Sequence, residues 1–197
     1  MKRYILGISG ASGQAIGIKL LRELLKRDLE VHLVTSRHAL PIIAQETGLK
    51  IGDDLPRAEK ALREGIAGGR LFQYREDEMA APIASGSFKT MAMFIVPCSM
   101  KTLSAVAQGY ASNLLERAAD VTIKEGRKLI LAPREMPFSA IHLENMLKLA
   151  RIGVVVAPPV AAFYHGPKNL DEMVDFFAGK LLDSAGIEND IFKRWRQ

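Results

Sequence analysis

The chain has 197 residues, 48% of them apolar and 25% charged, with 16 Gly, 9 Pro and a single Cys. That composition describes an ordinary folded domain and excludes a disordered chain, a fibre, a disulfide framework and a thiolate zinc site. The net charge of +5 is mild and scattered, without basic runs interleaved with aromatics, so it fits an anionic small molecule better than nucleic acid.

Residues 3–8 open the chain as an apolar run that feeds a glycine turn and lacks a small-residue cleavage site, which makes it a first strand and not a signal peptide. Over 14–27, Ile16, Leu20 and Leu24 share one face with Leu21 and Leu25 alongside, the helical period. A strand over 31–35 follows. The segment 49–69 is polar, with a helix at about 57–64. A strand over 91–97 leads to a helix starting at Leu103. Asn113 and Glu116 open a helix over 113–124 at capping-box spacing. A strand over 129–132, a helix over 139–151 and a strand over 154–157 come next. Asn169 with Glu172 repeats the capping signal ahead of a helix over 170–185, and the tail 187–197 is an appendage available to a neighbouring subunit. Short apolar strands alternating with helices define one α/β domain over 1–197, with a mostly parallel, doubly wound sheet covered on both faces. No stretch reaches the roughly 18 apolar residues of a membrane span, so a cytoplasmic protein is expected. The dispersed His32, His38, His142 and His165 predict no metal centre.

In such sheets ligands bind where strands end and helices begin. After the first strand comes GISGASG, whose Gly10, Ala11, Ser12 and Gly13 precede a helix; exposed amides and the positive helix end suit a phosphate. Ile8 breaks the dinucleotide fingerprint, and Ser9 and Ser12 add hydroxyls, so a mononucleotide is favoured, with a plain connecting turn as the alternative. Thr35-Ser36-Arg37-His38 suits a ribose or ring substituent, or caps the next helix. Ser99, Met100, Lys101 and Thr102 form a second hydroxyl-rich turn, either an anion or heterocycle site or a cap. Cys98 reads as a buried strand-end residue. Arg134 and Glu135 lie between Pro133 and Pro137, as an acid and cation for proton transfer or as a surface ion pair. Pro158 to His165 forms a stiff apolar wall containing the phenol of Tyr164. Ser85 and Gly86 make another amide-rich turn. Arg117 and Lys124 share a helix face and Lys180 lies on the final helix; singly, such residues are solvated charges paired with neighbours such as Asp120.

Taken in order, GISGASG, ASGSFKT, PCSMKTLS, ERAADVTIKE, APREMPFSAIHLENM and PPVAAFYH resemble the UbiX/Pad family of flavin prenyltransferases, formerly labelled aromatic acid decarboxylases. The resemblance runs from about Lys2 to Trp195. It implies a three-layer Rossmann-like flavoprotein fold in a homo-oligomer, commonly a dodecamer. It further implies FMN, reduced and alkylated by dimethylallyl phosphate to prenylated FMN, which a UbiD-type decarboxylase receives. Gly10, Ala11, Ser12, Ser36, Ser99 to Thr102 and Arg134 match the family's flavin contacts. Ser85, Gly86, Arg117, Lys124, Glu135, Tyr164 and Lys180 match its prenyl phosphate pocket, with Glu135, Ser12, Lys124 and Tyr164 as the catalytic set and no metal required. Glu76-Asp77-Glu78 replaces an aromatic found in some relatives, and Lys180 replaces an Arg. Two rivals stand beside this reading: a flavoprotein that itself decarboxylates an aromatic or cysteine-type acid, and a non-catalytic FMN carrier. The cysteine-type decarboxylases carry an Asn in the turn where this chain has Gly86 and Ser87.

Overall fold

The computed structural model describes residues 1–51 and 55–195. Strands β1 (Arg3–Ile8), β2 (Glu30–Thr35), β3 (Arg70–Arg75), β4 (Ala92–Cys98), β5 (Lys128–Pro133) and β6 (Val155–Val156) form one sheet of order β3-β2-β1-β4-β5-β6. Every pairing is parallel. Helices α1 (Gln14–Lys26), α2 (Ala39–Thr47), α3 (Leu55–Arg63), α4 (Met100–Ala107), α5 (Leu114–Lys124), α6 (Ala140–Arg151) and α7 (Leu170–Ser184) flank it, and Pro82–Ala84 makes a 3-10 turn.

Successive side chains of a strand face opposite ways, and here both faces are buried. From β1, Tyr4, Leu6 and Ile8 join Leu20 and Leu24 of α1 and Leu181 and Leu182 of α7 in one core. Ile5 joins Leu103, Leu114 and Ala118 from α4 and α5 in a second core. Helices α1, α2, α3 and α7 therefore cover one face, and α4, α5 and α6 the other. Two-sided burial is why the central strands are apolar throughout. Among the described residues no helix is long and apolar enough to cross a membrane.

Asn113 and Asn169 cap α5 and α7, accepting from the Glu116 and Glu172 amides at 2.9 Å each. The two glutamates reach one residue further back than the capping box requires, to the Ser112 and Lys168 amides. A reciprocal box does form at α6, between Ser139 and His142.

Several boundaries differ from the sequence reading. The unforeseen β3 is an edge strand with only Leu71 buried, so it lacks the continuous apolar signal of the inner strands. Helix α2 follows the Thr35–His38 turn, for which a cap on the next helix is one of the two sequence readings, but its N-cap His38 makes no side-chain cap bond, so no capping signature marks where it starts. Helix α4 begins at Met100, not Leu103, because Ser99 caps it by accepting from the Thr102 amide. In the polar segment 49–69 the helix runs Leu55–Arg63; positions 52–54 lie outside the described residues, as do 196 and 197 of the tail. The rest of the tail folds onto its own α7. Asn189 Nδ2 donates to the Gly179 carbonyl at 3.2 Å, and the Arg194 guanidinium grips both Asp183 oxygens at 2.9 and 2.8 Å.

Candidate active site

Strand order reverses between β1 and β4, which opens a crevice beyond their carboxyl ends. Ser9 knits that junction, its Oγ donating to the Pro97 carbonyl at 2.9 Å and accepting from the Ser99 amide at 2.7 Å. Read from sequence as a hydroxyl for ligand, Ser9 is buried and its bonds are spent on the fold. Over the junction lies a cleft of about 170 Å³ bordered by Gly10, Ser36, His38, Ser99, Lys101 and Thr102. A Cβ on Gly10 would stand 2.8 Å from the His38 Cβ, so no larger residue fits. Ser36 is buried, and among the described residues its Oγ has no hydrogen-bond partner. Leaving a buried hydroxyl unpaired costs about 1–3 kcal/mol, and a hydrogen-bonding ligand in the cleft offsets that cost.

The start of α1, the first candidate for phosphate, is already capped by an anion. Glu46 on α2 accepts from the Gly13 amide at 3.0 Å and the Gln14 amide at 2.7 Å. A carboxylate at the positive end of a helix is stabilising, and it takes the amides that a phosphate would use. Ala11 is buried and Ser12 exposed immediately before them. Glu46 escaped the sequence reading because the extent of α2 did. The hydroxyl-bearing rim of Ser36, Ser99 and Thr102, with the exposed ammonium of Lys101 and the half-buried Met100, is what remains open for a mononucleotide. Glu76 borders the same cleft and pairs with Arg37 at 3.4 Å. Burial pushes the Cys98 thiol far up, so this residue is inert.

Four residues matched to the prenyl phosphate pocket gather elsewhere, along α5. Arg117 donates through Nε to the Ala84 carbonyl at 3.2 Å and pairs with Asp120 at 2.7 Å. The Ser85 and Ser87 hydroxyls are 2.8 Å apart. A Cβ on Gly86 would stand 2.9 Å from Lys124 Nζ, so the turn lies directly against that ammonium.

Arg134 and Glu135 follow β5, both exposed, and among the described residues no ion pair joins them. The Arg134 amide donates to the Cys98 carbonyl at 3.1 Å, which seats this loop beside the start of α4. Glu135 accepts from the Met136 amide at 3.1 Å. Tyr164 stands edge-on to Phe176 and Trp195, with ring centroids 6.0 and 5.2 Å away. Lys180 borders an apolar cleft of about 260 Å³ with Pro158, Pro159 and Phe176, and its ammonium lies 3.8 Å from Asp183. Within one chain, then, Arg117 and Lys124 ride on α5 and Lys180 on α7, helices that cover opposite faces of the sheet.

A doubly wound sheet with a hydroxyl-rimmed cleft at its switch point is the geometry of a nucleotide-binding protein, and the flavoprotein family matches residues 1–182. A flavin prenyltransferase UbiX of Methanocaldococcus jannaschii is 47% identical over 193 residues, covering 98% of this chain and 98% of the relative. The crystal structure of AnUbiX (PadA1) in complex with FMN and dimethylallyl pyrophosphate superposes with a TM-score of 0.88 at 39% identity, covering 100% of this chain and 98% of that one. A dodecameric FMN-dependent UbiX-like decarboxylase from Escherichia coli O157:H7 gives 0.88 at 43%, covering 99% and 100%. Among the flavoproteins, this chain belongs to the UbiX family of flavin prenyltransferases.

Proposed function

We infer that this protein joins the dimethylallyl group of dimethylallyl phosphate to reduced FMN, making the prenylated FMN that UbiD-type decarboxylases use. The observation that carries this is the division of the site: a cleft with an unpartnered buried hydroxyl at Ser36, and apart from it a turn pressed against the ammonium of Lys124. The cleft fits FMN, for its hydroxyls, its ammonium and its two-helix rim suit a flat heterocycle bearing one phosphate. Ser36, Ser99, Lys101 and Thr102 would hold it, with Gly10, Ala11, Ser12, Met100 and Arg134 alongside. When bound, FMN supplies a nucleophilic ring edge and an aromatic surface.

The chain's own residues handle the other half of the chemistry. Breaking the allylic carbon–oxygen bond leaves a delocalised cation and inorganic phosphate, so negative charge grows on the leaving oxygens. Arg117, Lys124 and Lys180 meet that charge, with the Ser85 hydroxyl, the Gly86 backbone and the Tyr164 hydroxyl as neutral partners. Such a cationic set neutralises a monophosphate without a metal. Ring closure would need a proton delivered to the alkene and another removed from the flavin; Glu135, Ser12 and the departing phosphate would carry these transfers.

With α5 and α7 on opposite faces of the sheet, a site that uses all four residues would take Tyr164 and Lys180 from one copy and Arg117 and Lys124 from another. The working form is a homo-oligomer, a dodecamer like the E. coli relative, and it acts in the cytoplasm on soluble partners.

Anaerobic incubation with reduced FMN and dimethylallyl phosphate tests this reading. The flavin mass should rise by one C5 unit. Unchanged flavin would support a carrier, and carbon dioxide released from an aromatic acid without a partner enzyme would support a decarboxylase. Running the pyrophosphate in parallel separates the two donors, since a site built from these few cations is expected to favour the monophosphate.

A further inference from the structure

Glu125 directly follows Lys124, and its Oε1 lies 2.5 Å from the Lys124 ammonium. The same carboxylate is 3.9 Å from Arg127 through Oε2. Arg127 is largely buried beneath the Ser85–Gly86–Ser87 turn, donating to the Gly86 carbonyl at 2.6 Å and the Phe88 carbonyl at 2.8 Å. A Cβ on Gly86 would meet the Glu125 carboxylate before anything else. Turn, Arg127, Glu125 and Lys124 therefore close a ring of contacts, with one carboxylate at its centre.

We propose that Glu125 is a positioning residue that parks the Lys124 ammonium against the Gly86 turn and competes with phosphate for it. The proposal rests on the reading that Lys124 binds the donor's phosphate. The carboxyl is held below its usual range, chiefly by its hydrogen bond from Lys124. A fixed anion beside the phosphate seat has two effects. It keeps the ammonium extended over the turn when no substrate is present, and it repels the phosphate dianion that every turnover leaves behind. Arg127, donating to the Gly86 and Phe88 carbonyls, holds the backbone of the turn in place behind that carboxylate. Glu125 thus trades substrate affinity for release of product.

The test uses the FMN-loaded enzyme and two variants, Glu125→Gln and Lys124→Ala, with inorganic phosphate titrated calorimetrically and the reaction followed by flavin mass. Glu125→Gln should bind phosphate about fivefold more tightly, the size of one like-charge contact in water. KM for dimethylallyl phosphate should fall with it, and kcat should fall as release slows; a merely structural role would not tighten phosphate. Lys124→Ala should abolish most phosphate binding. Unchanged or weaker phosphate binding in Glu125→Gln, with Lys124→Ala impaired, overturns the role of Glu125 alone. Unchanged phosphate binding in Lys124→Ala overturns the reading of Lys124 itself, and this proposal with it.

Discussion

Ser9 and Ser36 look alike in the sequence, a hydroxyl just past a strand, yet the structure gives them opposite roles. Ser9 Oγ makes two bonds that tie β1 to β4, whereas Ser36 Oγ makes none among the described residues. Ser9→Ala should therefore lower the unfolding free energy by about 1–3 kcal/mol in urea titrations, because the Ser99 amide loses its acceptor in a buried place. Ser36→Ala should leave the flavin-free protein as stable as before, or slightly more so, and weaken FMN binding roughly fivefold to tenfold, the worth of one hydrogen bond. Fluorescence titration with FMN reads the second effect. Sequence reasoning found both residues because hydroxyls after strands are visible as a pattern. It could not rank them, since which hydroxyl is satisfied depends on the neighbouring strand, far away in the chain.

At the scale of elements, what stayed hidden was whatever does not carry a periodic apolar signal. The inner strands and α1, α5, α6 and α7 were legible from burial on two faces or from capping residues. The edge strand β3 and the bounds of the uncapped α2 were not, and with α2 went Glu46. Removing that carboxylate by Glu46→Ala should cost about 1 kcal/mol in chemical denaturation, as loss of a helix cap does. Strand β3 is tied to β2 by a part-buried polar cluster. His32 on β2 lies 2.9 Å from the Tyr74 hydroxyl through Nδ1 and 3.0 Å from Glu30 through Nε2, and Arg3 reaches Glu30 at 2.7 Å. A neutral imidazole satisfies both contacts by donating to Glu30 and accepting from Tyr74. Burial pushes the His32 pKa below its ordinary 6.5, outweighing the attraction of Glu30. Below about pH 6.5 the unfolded histidine thus takes up a proton that the folded one refuses, and stability falls until the folded pKa is passed. Urea titrations between pH 7 and 5 should show a slope of at most about 1.4 kcal/mol per pH unit from this group. His32→Gln should flatten that slope; an unchanged slope would assign the effect to other groups.

For the whole molecule, sequence motifs supplied the candidate site residues but not their grouping. Order along a chain says nothing about which copy a side chain serves, and only the placement of α5 and α7 on opposite faces raises the question. A shared site has a consequence that a self-contained one lacks. Let Lys124→Ala and Tyr164→Phe be made separately, each expected to lose most activity. If one copy supplies Lys124 and another supplies Tyr164, an oligomer reassembled at random from equal amounts of the two variants has both residues intact in about a quarter of its sites. Prenylation should then recover to about a quarter of the wild-type rate after dissociation and reassembly together, and not when the variants are reassembled apart and then mixed. Were both residues drawn from the same chain, every site would carry one defect, and the mixture would be as slow as its components.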